Sequence, residues 1–266
     1  MFELFHYGFI VRAFIAGIIV AITAPLIGTF LVAKRHAMFA DTLAHVSLAG
    51  ITLGIVIGVN PVLTALLVAV VSALLIEELR RKNLSGETAL SLFLSGGLAL
   101  AVVLIGFKRG FNVDIFSYLF GSIATVSESD LFIIGILGIV TVLTVKMLYK
   151  ELLYTVFNEE MARVSGMSTH MLNFVLTTLT AVVVVASIRI VGVLLIGALM
   201  VIPVVTASLI SKSFKQTLLL SVVLSLCVVI TGLFASYYFN VPAGGSIVLL
   251  ALGVFGLVSI NKKGSW

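Results

Sequence analysis

The chain has 266 residues, of which 61% are hydrophobic and only 10% are charged, and its formal net charge is +5. A water-soluble domain carries about 25% charged residues, because much of its surface must face water. This composition therefore excludes a water-soluble enzyme, a nucleic-acid-binding protein and a secreted disulfide scaffold. It predicts an all-α polytopic membrane protein that forms a single transmembrane domain over residues 1–266.

Nine apolar stretches approach the roughly 20 residues that a helix needs to cross a bilayer. In chain order they run over residues 9–33, 40–59, 61–79, 88–106, 129–149, 171–188, 190–210, 217–239 and 242–260. The two stretches that meet at Arg189 form one tract that is too long for a single crossing. This tract predicts two crossings, or one crossing and a broken half-helix, so eight crossings remain the alternative to nine. Arg189 itself is expected to extend to the outer interface.

The second stretch carries an acid and a histidine four residues apart, Asp41 and His45, which share one face of a helix. Thr52 lies close to the same face, because seven residues complete almost two helical turns. A carboxylate and an imidazole at this spacing can contact Zn²⁺ or Mn²⁺. Two alternatives stay open: a proton relay, and a structural pair in which Lys34 and Arg35 balance Asp41.

Three glycines at four-residue spacing, Gly50, Gly54 and Gly58, form a second stripe on the same helix. Small residues at this spacing allow a neighbouring helix to approach closely. We therefore expect a helix that packs on its glycine face and presents Asp41 and His45 elsewhere.

Two further positions are candidates for the transport pathway or a gate. Asp114 begins an apolar segment that ends at Gly121, within the long connection between the fourth and fifth stretches. We expect this segment to lie at the outer interface or to dip into the membrane. Pro203 lies inside an apolar run and predicts a kink or break in its helix.

A second long connection, residues 150–170, is predicted to hold a short capped helix at the cytoplasmic face. Asn158 can cap this helix, Glu159 and Glu160 complement its positive end, and Gly166 can end it. Such an element is typical of a docking site rather than of a catalytic one.

The basic residues predict the orientation of the chain. If the nine stretches alternate, one side receives 12 of the 16 basic residues. They are Lys34, Arg35, Arg80, Arg81, Lys82, Lys146, Lys150, Arg163, Lys212, Lys215, Lys262 and Lys263. Because cytoplasmic loops carry the excess of Lys and Arg, the C-terminus is predicted to be cytoplasmic and the N-terminus external.

Motifs for ATP binding and hydrolytic catalysis are missing from the sequence. It contains no Gly-x-x-x-x-Gly-Lys-Ser/Thr loop, no His-Glu-x-x-His and no Gly-x-Ser-x-Gly. The chain is therefore not expected to be an enzyme, and any active transport would draw on an ion gradient or on a separate ATPase subunit.

Four segments together resemble the membrane permeases of ATP-binding-cassette (ABC) importers for zinc and manganese. They cover residues 27–50, 114–121, 158–166 and 192–207, in the order that this family has them. The resemblance implies a type II ABC importer-like fold in the cytoplasmic membrane of a prokaryote. It also implies a homodimer, two cytoplasmic ATPase subunits that bind ATP, and an extracytoplasmic metal-binding protein.

The same resemblance assigns roles to individual residues. Asp41 and His45 match the acid and histidine that the family links to metal passage, and the cytoplasmic helix matches its coupling helix. The matching positions of that helix are Glu159, Glu160, Ala162 and Gly166. Zinc is favoured over manganese as the transported substrate, because Ala49 stands where manganese members tend to have a proline. No permanently bound cofactor and no nucleic-acid partner are implied.

Two other function classes remain on the residues alone. A self-contained secondary carrier would use Asp41 and His45 to couple proton and metal movement. A structural membrane subunit without a pathway would leave this pair of ionisable residues unexplained.

Overall fold

The computed structural model describes residues 8–82, 84–107 and 115–261. Every regular element in these ranges is helical, as the composition predicts. The helices are α1 (Gly8–Ala33), α2 (Met38–Ile57), α3 (Pro61–Arg81), α4 (Gly86–Phe107), α5 (Ile115–Phe120), α6 (Glu128–Met147), α7 (Tyr149–Phe157), α8 (Glu159–Val164), α9 (Thr169–Val191), α10 (Ile196–Ile210), α11 (Phe214–Phe239) and α12 (Ala243–Asn261). A 3₁₀ turn, Ile123–Thr125, lies between α5 and α6.

Eight of these helices are long and apolar enough to cross a membrane: α1, α2, α3, α4, α6, α9, α11 and α12. The helix α10 is apolar but has only 15 residues. The long tract around Arg189 therefore folds as one helix of spanning length, α9, followed by the short helix α10, which returns the chain to the end of the bundle where both α9 and α11 begin. Gly192 ends α9 at a φ of +87°, a conformation that glycine adopts without steric cost.

The break between α2 and α3 lies where the sequence predicts it. Asn60 caps α3, because its side chain accepts a hydrogen bond of 2.9 Å from the amide of Val62. Pro61 occupies the first helical position, where its missing amide hydrogen costs nothing. The two helices therefore form an antiparallel pair joined by a short turn.

The glycine stripe of α2 has two different uses. A Cβ atom on Gly50 would lie 2.6 Å from the Cα atom of Ala65, and one on Gly54 would lie 2.1 Å from the hydroxyl of Thr64. These two glycines allow the close contact with α3, which confirms the predicted packing face. Gly58 is different, because nothing lies within 4 Å of its Cβ position. It ends α2 in the left-handed conformation, at a φ of +76°.

The predicted cytoplasmic loops meet at one end of the bundle, which we call the basic end. Lys34 reaches Glu159, His36 reaches Arg80, and the ring of Phe157 packs against that of Phe214. Of the 12 basic residues in the described ranges, ten lie at this end, and the other two are Arg12 and Arg189. The side chain of Arg12 bonds the carbonyl of Val126 at the opposite end. The basic residues are thus as asymmetric in the fold as the sequence predicts.

Candidate functional site

Asp41 and His45 lie close to the basic end of α2, in its first and second turns. Between residues 39 and 52 they are the only two that are not fully buried. The helix therefore opens to the surface of the chain at this pair, while the positions around the pair pack inside the bundle. The two side chains share one face, as their spacing predicts.

A backbone hydrogen bond fixes the orientation of the His45 ring. Its Nδ1 atom lies 2.8 Å from the carbonyl oxygen of Asp41. Because a carbonyl can only accept, Nδ1 must carry the proton and donate it, so the lone pair of the neutral ring is on Nε2. This arrangement is typical of metal-binding histidines, whose second nitrogen is commonly held by a carbonyl or a carboxylate.

The carboxylate of Asp41 lies against the first turn of α10. A Cβ atom on Gly197 would lie only 1.8 Å from Oδ1 of Asp41, so glycine is needed where the two helices meet. No side chain caps the start of α10. The amide groups at a helix start favour negative charge, so this short helix directs its positive end toward the acid.

The structural-pair alternative for Asp41 loses its support. Among the described residues no ion pair reaches Asp41. Lys34 instead lies 3.6 Å from Glu159 and donates to the side-chain oxygen of Asn173. Asp41 is thus left available for a ligand.

One copy of the chain supplies too few donors for a closed metal site. In the described ranges no group of three or more His, Cys, Asp or Glu residues could hold a metal ion. Asp41 and His45 are two ligands, whereas a protein site for Zn²⁺ needs three or four. Any metal held here needs further ligands from outside the described part of this chain.

The other pathway candidates are not brought to this pair. Thr52 is fully buried, and its hydroxyl donates to the carbonyl of Ala49 at 2.9 Å. Pro203 is buried in the middle of α10, which continues through it, so it does not break the helix. Asp114 lies outside the described residues. The roles of these three residues stay predictions.

The short helix predicted at the cytoplasmic face is present as α8. The side chain of Asn158 accepts a hydrogen bond of 2.9 Å from the amide of Met161 and caps the helix as predicted. Glu159 and Glu160 occupy its first turn. Gly166 follows its end at a φ of +82°, with its amide bonded to the carbonyl of Arg163. These contacts define a compact element of six residues.

The helix α8 has two distinct faces. Ala162 is fully buried against the bundle, and Glu159 is turned toward Lys34 and Asn173. The other face is apolar and open: Val164 is 84% exposed and Met161 is 53% exposed. Exposed apolar side chains at the end of a bundle indicate an interaction surface.

Sequence reasoning missed the environment of Arg189. Its side chain is largely buried in the bundle, and its Nε atom lies 3.2 Å from Oδ2 of the buried Asp130. Its guanidinium carbon also lies 4.5 Å from the centre of the Tyr118 ring. Nothing local in the sequence signals this pair, because 59 positions separate the two charges along the chain.

His36 lies in the turn between α1 and α2, and its ring takes part in a polar contact at the basic end. Its Nε2 atom accepts a hydrogen bond of 2.9 Å from Arg80. Burial, together with the charges of Arg80 and Lys34, lowers the pKa of His36 to about 4. The ring is therefore neutral at physiological pH, and it serves as an acceptor within the basic end.

A model of the ABC 3 transport family matches residues 6–262. The chain belongs to this family. Its fold is that of the family's membrane permeases, because it superposes on PsaBC from Streptococcus pneumoniae, solved in complex with Fab, with a TM-score of 0.86. That match has 32% identity and covers 96% of this chain and 92% of the other.

Curated members of the family align along nearly the whole chain. A probable metal transport system membrane protein of Treponema pallidum is 37% identical and covers 95% of each chain. The manganese import system permease protein ScaB of Streptococcus gordonii is 31% identical over 95% of this chain and 91% of its own length. The high-affinity zinc uptake system membrane protein ZnuB of Haemophilus influenzae is 33% identical over 94% and 96%. The two relatives that are named for a particular metal, manganese and zinc, have similar identity to this chain.

Proposed function

We propose that the chain is the permease subunit of an ATP-driven importer that moves a divalent transition metal across the cell membrane. Zn²⁺ is the favoured substrate and Mn²⁺ the next. The Asp41 and His45 pair carries this proposal: it is the one opening in a buried stretch of α2, and its imidazole presents a free Nε2. Ionisable residues within a membrane-spanning helix are rare and usually mark a transport pathway.

A second copy of the chain completes the metal site. Two copies related by a two-fold axis contribute two carboxylates and two imidazoles, if the axis passes beside α2. Four donors of this kind suit the tetrahedral coordination of Zn²⁺, whereas Mn²⁺ is better served by more oxygen ligands. The donor set therefore agrees with the preference for zinc that the resemblance implies.

The energy comes from two cytoplasmic ATPase subunits, since the chain itself has no loop for ATP. Each binds the open apolar face of α8, which holds Met161 and Val164. The basic end faces the cytoplasm, together with the C-terminus, because the Lys and Arg excess lies there. A metal-binding protein delivers the ion to the opposite end.

Substitution of the two ligands tests this function. Asp41→Asn removes the negative charge of one ligand and His45→Ala removes the other ligand, so we expect both to abolish metal uptake in membranes while the chain still inserts and assembles. Glu87→Gln and His170→Ala are matched controls, because both side chains are exposed at the basic end. Uptake by Asp41→Asn and His45→Ala at the level of these controls would refute the assigned site.

Reconstitution separates this proposal from a proton-coupled carrier. The purified chain alone in liposomes should not accumulate Zn²⁺ or Mn²⁺ under a pH gradient. Uptake should require the ATPase subunits and ATP, and a comparison of the two metals under these conditions identifies the substrate. Gradient-driven uptake by the chain alone would instead establish the carrier.

A further inference from the structure

The inward side of α8 is joined to the rest of the bundle by one charged residue. Among the described residues, the contact of Glu159 with Lys34 is the only ion pair that α8 forms. The neighbouring Glu160 and Arg163 are exposed. The helix therefore exposes two apolar side chains, Met161 and Val164, between two solvated charges, and it has a single ionic connection toward the bundle.

Three side chains form this connection, which we call the α8 node: Lys34, Glu159 and Asn173. The Nζ atom of Lys34 lies 3.6 Å from Oε2 of Glu159 and also donates to Oδ1 of Asn173. The amide nitrogen of Asn173 donates to Oε1 of Glu159 at 3.0 Å. The side chains of Lys34 and Glu159 are 10% and 38% exposed, and Asn173 is buried. Each member bonds both others, so displacing one must pull on the other two.

The node includes the turn that leads into α2, the helix that carries Asp41 and His45. Lys34 immediately follows α1, and its amide still bonds the carbonyl of Phe30. The amide of His36 bonds the carbonyl of Leu31 at 2.8 Å, and the amide of Phe39 bonds the carbonyl of His36 at 3.0 Å. This tight turn leads into α2 without a flexible segment, and Asp41 lies seven residues after Lys34.

A second contact holds the same turn to α3. Arg80 donates to Nε2 of His36 and also bonds Oε2 of Glu77 at 3.0 Å. The turn is therefore held on one side by α8 and α9 through the node, and on the other side by α3. The described contacts leave no loose segment between α8 and the start of α2.

We propose that Lys34 is a positioning residue that transmits displacement of α8 to the Asp41 and His45 pair, through its contacts with Glu159 and Asn173. This role rests on the proposed function, because it needs an ATPase that moves α8. Neighbouring residues of α8 then have different roles. Met161 and Val164 bind the ATPase, while Glu159 couples displacement of α8 to Lys34.

The test measures how much metal is transported per ATP hydrolysed, in vesicles that hold the chain with its ATPase and metal-binding subunits. Lys34→Met and Glu159→Gln should lower this ratio by about fivefold or more, the lower range for coupling between two sites. ATP hydrolysis and co-purification of the ATPase should persist, because the apolar face of α8 is intact. Lys215→Met is the matched control, since it removes an exposed lysine at the same end.

Charge reversal distinguishes transmission from a merely structural contact. Lys34→Glu combined with Glu159→Lys restores the pair with opposite polarity, and Asn173 can accommodate it by rotating its amide so that oxygen and nitrogen exchange places. We expect the double variant to recover most of the transport per ATP that each single reversal loses. This comparison also serves if Lys34→Met fails to fold.

Two results would overturn the role of Lys34. One is a ratio for a folded and assembled Lys34→Met or Glu159→Gln complex equal to that of Lys215→Met. The other is a double reversal no better than the single ones. Failure of the proposed function is distinct, because the wild-type complex would then show no ATP-dependent metal transport.

Discussion

Gly197 is the position where one added methyl group should damage the metal site and leave the fold intact. In Gly197→Ala the new Cβ atom would lie 1.8 Å from Oδ1 and 2.5 Å from Cγ of Asp41. Atoms of this kind do not approach within 3.0 Å, so the carboxylate oxygen must move by about 1.2 Å. The side chain of Asp41 can rotate to achieve this, whereas the backbone of α2 and α10 need not move.

The displacement is large on the scale of metal coordination. Ligand distances are defined to about 0.2 Å, so an oxygen shifted by this amount no longer binds the ion in the same geometry. Changes that disturb ligand orientation typically cost about 10–100-fold in metal affinity. We expect a loss in this range in the apparent affinity for Zn²⁺, measured as uptake against metal concentration in vesicles that hold the complete complex.

Two other glycines provide matched controls. Gly253 has nothing within 4 Å of its Cβ position, so Gly253→Ala should leave transport unchanged and cause no loss of stability, because alanine favours a helix interior. Gly28 is the opposite case, because its Cβ would lie 1.9 Å from the backbone oxygen of Met200. A backbone atom cannot rotate away, so Gly28→Ala should lower the free energy of unfolding by about 1–3 kcal/mol, as overpacking does.

The three glycine variants separate the possible outcomes. If Gly197→Ala retains the apparent Zn²⁺ affinity of Gly253→Ala, the position of the Asp41 carboxylate does not matter for transport, and the assigned site is wrong. If it instead loses stability as Gly28→Ala does, the carboxylate is not free to rotate.

Three further predictions concern stability. Arg189→Met leaves Asp130 buried without its cation, so the free energy of unfolding should fall by about 2–3 kcal/mol. Arg12→Met should lower it by less than about 1 kcal/mol, because the partner of Arg12 is exposed. Thermal unfolding in detergent measures both variants, and equal losses would contradict the buried pair. Asn158→Ala removes the cap of α8 and should lower the stability of this helix by about 1 kcal/mol. The loss should be measurable as faster amide hydrogen exchange in α8, whereas Asn158→Ser, which keeps a capping side chain, should not show it. His36 takes up its proton in the unfolded chain near pH 6.5 but in the folded protein only near a pKa of about 4, so up to about 3 kcal/mol of stability is lost as the pH falls from 6.5 to 4. His36→Gln should flatten this dependence in unfolding measured across that range, and an unchanged slope would contradict it.

Local features of the sequence predict much of this fold. The apolar runs locate the eight helices that are long enough to cross a membrane, and the Asn60–Pro61 break lies between two of them as expected. The cap at Asn158 and the shared face of Asp41 and His45 follow from spacings of three and four residues, which a helix determines by its geometry alone. These predictions need no knowledge of which helices touch.

The features that the sequence does not predict all depend on contacts between distant segments. Hydropathy shows that the tract around Arg189 is too long for one crossing, but not that it turns at Gly192. Nor does it show that Gly197 meets Asp41, since 156 positions separate them in the chain. The exchange of partners, in which Lys34 bonds Glu159 rather than Asp41, is decided by where α8 and α9 pack. Such contacts are properties of the assembled bundle.

In the proposed dimer, a metal site divided between two copies would determine how the ion is released. Each α2 offers one carboxylate and one imidazole, so the number of ligands around the ion depends on the separation of the two helices. If they part, the ion keeps at most two donors from either chain, and its affinity falls steeply because a site for Zn²⁺ needs three or four. A small movement of α2 is then sufficient to switch between holding and releasing the ion. The α8 node is well placed to deliver this movement, because it acts on the turn from which α2 starts.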